Sequence, residues 1–465
     1  MYIEQLYTDC LAAAAYYIES GGEAAVIDPM RDPQPYIDLA AKRGTKIKYI
    51  FETHFHSDFV GGHLDLAQRT GADIILGPGA DAEYAIHVAA DGEEFKLGFI
   101  SLRVLHTPGH TIEACCFLLL DERQNPHSVF TGDTLFVDDV GRPDQTVDAN
   151  LNIRKMAGVL YDSIENKLLS LPNYVIVYPA HGAGSQCGKS IGTERHSSIG
   201  IQKQTNYALK AGNKEEFIKL VTDGLNDPPV YFSRIALMNR KQCESFEAVL
   251  EKNLNPVSID DLKLQLKKEN TLVIDTRASD VFEVGFIPGS VFIGLDGSYA
   301  ATAGSVVNPA SNLIVVADVG LEKEAISKLA RVGLENVAGY VEGGFASLLL
   351  AVEPIDKIKT ISAEDFEELF RYNSCTVLDV RNPDEWVPGF VAGAKLIALG
   401  TLKNQLNELD RNKPCFIYCG NGYRSMVAAS LLKSYGYDNV VNITGGMMKI
   451  RKTAISIKQL TSRAN

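Results

Sequence analysis

Apolar runs of four to eight residues recur along this chain, and most break off in a polar turn. In the first half, TKIKYIFETHFHSD (45–58), ISLRVLHTPGHT (100–111), SVFTGDTLF (128–136) and YVIVYPAHG (174–182) each read as a strand running into a loop. Each of these loops carries a His or an Asp, so a sheet built from the strands gathers polar side chains at one edge. Helical periodicity returns between Ala149 and Leu169. In the second half, short runs such as TLVID (271–275) and CFIYC (415–419) suit buried parallel strands. They alternate with helical stretches, which implies α/β layers.

The second half also repeats itself. LVIDTRASDVFEVGFIPGS (272–290) resembles VLDVRNPDEWVPGFVAGA (377–394), and Asp275, Arg277, Gly285 and Gly289 recur 104 residues later as Asp379, Arg381, Gly389 and Gly393. Ser258 with Asp261 and Ser362 with Asp365 mark a helix start at the same offset, each in the S-x-x-D capping pattern. Further on, LIVVADVG (313–320) aligns with CFIYCGNG (415–422), and Gly343-Gly344 with Gly445-Gly446.

At 465 residues the chain is too long for one core. The punctuation predicts three parts: residues 1–250 with a linker, then 256–352, then 356–465. A net charge of −13 argues against general nucleic-acid binding. No apolar run is long enough to cross a bilayer, and MYIEQLYTDC does not read as an export signal. The expected setting is therefore cytoplasmic, and the expected assembly a homo-oligomer. Eight sparse cysteines with no C-x-x-C pair point to reduced thiols.

His54, His56 and Asp58 stand in T-H-F-H-S-D, His110 in T-P-G-H-T, Asp133 in T-G-D-T and His181 in P-A-H-G. One isolated His is usually structural, but this many His and Asp at strand ends point to a metal. The pattern resembles the metallo-β-lactamase superfamily over roughly residues 1–225. That resemblance implies an αββα sandwich. Two-zinc hydrolases of the superfamily usually read H-x-H-x-D-H, whereas Phe59 here replaces the last His. Phe cannot ligate, so a second metal site is expected to be weak or absent. Two His and a carboxylate on one ion suit Fe(II) and O2 chemistry. The departure is similar to the persulfide dioxygenases, which implies iron ligands His54, His110 and Asp133. His56, Asp58 and His181 would then surround the ion. Arg142 is the candidate to pair a carboxylate of the thiol substrate, with a structural Arg as the alternative. Cys187 and Lys189 are weaker candidates for thiol contact, Cys187 reading first as an ordinary thiol.

YCGNGYRS places Cys419 after a buried strand and before a helical stretch, with Arg424 at the helix start. Backbone N–H groups of Gly420, Asn421, Gly422 and Tyr423 would wrap a sulfur there, at the positive end of a helix. The loop resembles the rhodanese C-x-x-x-x-R, and the phosphatase loop is one residue longer. The first repeat has Ala317 and Glu322 at the positions of Cys419 and Arg424, so it is expected to be an inactive rhodanese-like module. Phe390 stands where the family often has a His.

The order of parts resembles persulfide dioxygenase–rhodanese fusions. That resemblance implies an α/β multidomain enzyme that oxidises a low-molecular-weight thiol persulfide to sulfite with Fe(II) and O2. The thiol would be of glutathione, coenzyme A or bacillithiol type. Cys419 and Arg424 would carry sulfur transfer between persulfide, sulfite and thiosulfate. The alternative is a glyoxalase II-like thioesterase fused to a sulfurtransferase.

Overall fold

The computed structural model describes residues 1–145, 152–351, 353–372 and 375–460. The chain divides into two compact units, one of residues 1–249 with 330–333 and one of 250–329 with 334–465.

The first unit holds two six-stranded sheets. One runs β1 (Tyr2–Thr8), β2 (Ala13–Ser20), β3 (Glu23–Ile27), β4 (Lys46–Phe51), β5 (Asp73–Leu76), β6 (His87–Val88), in that spatial order. The other contains β7 (Glu94–Leu97), β8 (Ile100–His106), β9 (Cys115–Leu120), β10 (Pro126–Gly132), β11 (Ile176–Pro179) and β12 (Ser197–Ser198), again as sequential neighbours. Strand alternation decides the layers. Ala14, Tyr16 and Ile18 of β2 face a shared core with Leu102 and Val104 of β8 and Phe117 of β9. Ala15 and Tyr17, one residue out of step, face instead a core with Tyr36 and Ala40 of the helix Gln34–Arg43 and Leu66 of the helix His63–Thr70. Behind the second sheet, Leu118 and Val129 pack on Ala157 and Leu160 of the helix Ile153–Ser163 and on Phe217. The result is the expected αββα order of layers. The helix expected between Ala149 and Leu169 runs from Ile153 to Ser163 and continues as a wider turn, Ile164–Leu168; its expected first residues lie outside the described ones.

The second unit holds two parallel five-stranded sheets of the same topology. The first has β13 (Pro256–Val257), β14 (Thr271–Asp275), β15 (Val291–Phe292), β16 (Asn312–Val316) and β17 (Val337–Val341), in the spatial order β13-β17-β16-β14-β15. The second has β18 (Lys359–Ile361), β19 (Thr376–Asp379), β21 (Lys395–Leu396), β22 (Cys415–Tyr418) and β23 (Val440–Ile443), in the order β18-β23-β22-β19-β21. A short ribbon pairs β20 (Phe390–Val391) with β24 (Ile457–Lys458).

The repeated D-x-R…G signature is a structural clamp. Arg277 Nε lies 2.9 Å from Asp275 Oδ1, and its Nη2 donates to Asp275 Oδ2 (2.6 Å) and to the Gly285 carbonyl (2.8 Å). Arg381 repeats this with Asp379 (2.9 and 2.6 Å) and the Gly389 carbonyl (2.8 Å). Both carboxylates are fully buried. A buried charge of that kind needs a planar, bidentate partner, which Arg supplies and Lys does not. Both S-x-x-D caps form as expected, with the Ser hydroxyl accepting from the Asp261 and the Asp365 backbone N–H.

Candidate metal centre and sulfur site

The loops after β4, β8, β10 and β11 meet at one end of the first unit's sandwich, and they bring His54, His110 and Asp133 together. One donor atom from each lies within 4.8 Å of the others, and all three residues are buried. His110 Nε2 is 3.4 Å and His54 Nε2 3.8 Å from Asp133 Oδ2. His110 Nε2 and Asp133 Oδ2 are buried without a hydrogen-bond partner. Buried polar atoms are rarely left so, and two of them facing each other fit a metal ion.

The surroundings select the ring nitrogen that stays free. The Arg142 carbonyl accepts from His110 Nδ1 (2.8 Å), which leaves the Nε2 lone pair available. Thr53 Oγ1 donates to Asp28 Oδ2 (2.9 Å), and its oxygen can then accept from His54 Nδ1 (3.0 Å). Metal-bound His is commonly oriented in this way. Burial, with the charge on His56, holds His54 well below its usual range, and burial also lowers His110. Both rings are therefore neutral near pH 7, as ligation requires. Burial opposes ionisation of Asp133, yet the charge and the hydrogen bond of His181 hold its carboxyl below the usual carboxylate range.

His181 bridges two carboxylates, with Nδ1 on Asp133 Oδ1 (2.7 Å) and Nε2 on Asp58 Oδ2 (2.8 Å). Burial disfavours its charge, but Asp133 and Asp58 outweigh that and raise it well above the usual value. His56 turns towards other partners: Nε2 sits 3.2 Å from Asp28 Oδ1 and 3.8 Å from Glu52 Oε2, and its ring stacks on Phe59 at 4.2 Å. Arg142 is buried. Its guanidinium pairs with Asp144 (2.6 and 2.8 Å) and donates to the Gln186 and Asn226 carbonyls (3.0 and 2.6 Å). Its link to the metal cluster is its own carbonyl on His110. Lys189 likewise donates to the Leu220 and Asp223 carbonyls (3.2 and 2.5 Å).

Sequence reasoning missed Asp28, Thr53 and Glu52. The available signal for Asp28 was its place at the end of an apolar strand, VIDPM. Its φ of +51° is a conformation that Asp tolerates better than most residues.

In the second unit, Cys419 follows β22 and is fully buried. Gly422 N–H donates to its sulfur (3.1 Å), and the Ser425 hydroxyl lies 3.6 Å away. Gly422 caps the helix Tyr423–Ser434 with φ +112°. Arg424 makes a bidentate pair with Glu385 (2.6 and 2.8 Å). A cavity of about 590 Å³ opens over the loop, lined by Gly420, Asn421, Tyr423 and Arg424, and on the other side by Asp296, Gly297 and Ser298 of the first repeat. Small-molecule pockets commonly have this size. The Tyr423 hydroxyl donates to the Gly294 carbonyl (3.1 Å), and the Ser430 hydroxyl accepts from Phe292 N–H (2.9 Å). The nucleophile-less repeat thus walls the pocket of the other. In that repeat Ala317 is buried where Cys419 would stand, and Glu322 closes its loop by accepting from Gly320 N–H (2.8 Å).

Residues 8–181 match the Metallo-beta-lactamase superfamily, and residues 258–350 and 362–453 each match the Rhodanese-like domain. The hydroxyacylglutathione hydrolase of Rhizobium etli is 33% identical over 252 residues, 48% of this chain and 91% of that protein. The mitochondrial persulfide dioxygenase ETHE1 of Mus musculus is 30% identical over 227 residues, 48% of this chain and 79% of that protein. Among solved structures, a metallo-beta-lactamase from Staphylococcus aureus is 32% identical with a TM-score of 0.65, covering 73% of this chain and 98% of that one.

Proposed function

Because the chain belongs to the metallo-β-lactamase superfamily and carries two rhodanese-like domains, we propose that it is a persulfide dioxygenase joined to a sulfurtransferase. The observation that carries this reading is the convergent ligand set His54, His110 and Asp133, beside Phe59 in place of a ligating His. Those three residues would hold one Fe(II), which when bound supplies the redox chemistry that zinc lacks. Thr53, the Arg142 carbonyl and His181 orient the three ligands. His56 and Asp58 lie beside them, and Arg142 keeps the rim segment 186–187 against the cluster. In the overall reaction R–S–SH, O2 and water give R–SH, sulfite and two protons.

The second site works through Cys419 and Arg424. The Cys419 thiol attacks the outer sulfur of R–S–SH; the new S–S bond forms as the old one breaks, and R–SH leaves with a proton. The Gly422 N–H, within reach of the sulfur, holds the transferred atom, and the neighbouring N–H groups of Gly420, Asn421 and Tyr423 line its loop. Sulfite then attacks that outer sulfur, giving thiosulfate and regenerating Cys419. The substrates are a low-molecular-weight thiol persulfide of glutathione, coenzyme A or bacillithiol type, with sulfite and thiosulfate. No helix among the described residues is long and apolar enough to cross a membrane.

The hydrolase relatives favour a second reading, thioester cleavage at the same ligand set. Metal analysis with an O2 electrode and glutathione or coenzyme A persulfide separates the two. One iron per chain with O2 uptake that His110→Ala abolishes is expected. A two-zinc centre cleaving S-lactoylglutathione without O2 uptake overturns the proposal.

A further inference from the structure

The cavity over the loop that follows Cys419 has two walls of different charge. The loop side offers backbone N–H groups and one guanidinium, Arg424, whose charge is already matched by its bidentate pair with Glu385 (2.6 and 2.8 Å). The facing side, from the first repeat, brings the carboxylate of Asp296. Asp296 is exposed, and among the described residues it has no hydrogen bond or ion pair. We propose that Asp296 selects the sulfur carrier at this site: it favours a low-molecular-weight persulfide that bears a free ammonium and disfavours one that bears phosphates. This rests on the sulfurtransferase reading of Cys419 and narrows its substrate class.

The chain on both sides of the carboxylate is tied. Leu295 N–H donates to the Thr276 carbonyl (2.9 Å), and Thr302 N–H to the Ser298 carbonyl (2.8 Å). Tyr299, a little further along, is fully buried. The cation that touches this segment is engaged elsewhere: Lys328 Nζ donates to the Leu295 carbonyl (3.2 Å) and pairs with Glu324 (2.7 Å). The charge on Asp296 is felt on the loop side of the cavity. Burial first, and then that charge, raise the Tyr423 phenol above its usual range, so Tyr423 stays a neutral donor to the Gly294 carbonyl.

With Arg424 matched and Asp296 unmatched, the lining carries surplus negative charge. A cleft lined by one sign of charge concentrates ligands of the other sign. Volume does not separate the carriers, because a long thiol can leave its tail in solvent, but charge does. Glutathione, cysteine and bacillithiol each carry an ammonium that can pair with Asp296, whereas coenzyme A brings several phosphate charges that Asp296 repels. Discrimination of this kind rests on a penalty against the wrong partner as much as on attraction to the right one. Thiosulfate, a dianion without an ammonium, belongs with the disfavoured donors.

The test uses the full-length protein under anaerobic conditions, so that O2 chemistry does not consume the donors. Transfer from glutathione persulfide and from coenzyme A persulfide to sulfite is followed as thiosulfate formed, and transfer from thiosulfate to cyanide as thiocyanate formed. The wild type is expected to prefer glutathione persulfide by kcat/KM. Asp296→Asn should move the preference towards coenzyme A persulfide by more than about fivefold, through KM rather than kcat, and lower KM for thiosulfate. Asp296→Lys should reverse the preference. The shift should fade between about 0.05 and about 0.5 M salt, because salt screens an exposed charge. Asp280→Asn removes an exposed acid of the same repeat outside the cavity lining, and it should leave the ratio unchanged. A wild type without preference, an unshifted ratio in Asp296→Asn, or an equal shift in Asp280→Asn overturns the proposal and leaves the sulfurtransferase reading standing. Absence of transfer from every donor overturns both.

Discussion

Thr53→Val tests how the metal ligands are held. The Thr53 hydroxyl links Asp28 Oδ2 (2.9 Å) to His54 Nδ1 (3.0 Å), and the residue is only 1% exposed. Valine has nearly the same shape, so the change removes two hydrogen bonds with little change in volume. It strands two buried groups, each costing about 1–3 kcal/mol, so unfolding free energy should fall by about 2–6 kcal/mol. A domain with a typical stability of about 5–15 kcal/mol remains folded through most of that range. The second consequence is specific to the metal. His54 is free to rotate or to change its tautomer, and loss of such a supporting contact weakens metal binding by about 10- to 100-fold, or ~1.4–2.8 kcal/mol. Chelator competition on the full chain reads this affinity, and a urea titration of the metal-free protein reads the stability. Thr53→Ser keeps the hydroxyl and should restore most of the affinity. Wild-type iron affinity in Thr53→Val, with stability lowered as expected, would refute the claim that this contact orients His54.

Three further outcomes follow from particular contacts. Burial, then the charges on His56 and Arg31, hold His63 down at about 3, against about 6.5 for an ordinary histidine. The unfolded chain therefore binds one more proton between those values, and the metal-free protein should lose up to ~1.4 kcal/mol per pH unit as pH falls below about 6.5. His63→Gln should flatten this slope in urea titrations between about pH 5 and 7, and an unchanged slope counts against it. Gly446 has φ +49°, and a Cβ there would meet the Cys419 carbonyl at 2.4 Å. Gly446→Ala should thus displace the sulfur loop and cut thiosulfate-to-acceptor transfer by more than about tenfold, with O2 uptake unaffected. Cys419→Ser should abolish sulfur transfer and leave persulfide-dependent O2 uptake largely intact, measured side by side; loss of both would mean that the two sites do not act separately.

Some of this was legible in the residues themselves. The recurrence of Asp275 and Arg277 as Asp379 and Arg381 revealed two copies of one unit, because the clamp they form is local and its spacing survives in the chain. The loop from Cys419 to Arg424 was legible for the same reason: a strand, a tight turn and a helix are contiguous. Strand-end motifs nominated the His and Asp cluster, and the family resemblance singled out His54, His110 and Asp133 within it.

Other features depended on chain segments far apart in sequence. Nothing in T-H-F-H-S-D says that Thr53 leans on Asp28, or that His56 turns to Asp28 and Glu52 while His181 turns to Asp58 and Asp133. Cys187 read first as an ordinary thiol and only weakly as a thiol contact, and the fold sets it beside Asp58 and His181. The first repeat read as an empty copy, and the structure shows its segment 296–298 lining the cavity over the loop that follows Cys419. The sequence by itself determined periodicity, repeat and local motif, because those obey the short-range geometry of strands, turns and helix caps. The tertiary structure alone decided which loop ends converge and which buried polar atoms are left for a ligand, because packing the two sheets face to face brings together residues that no local spacing relates.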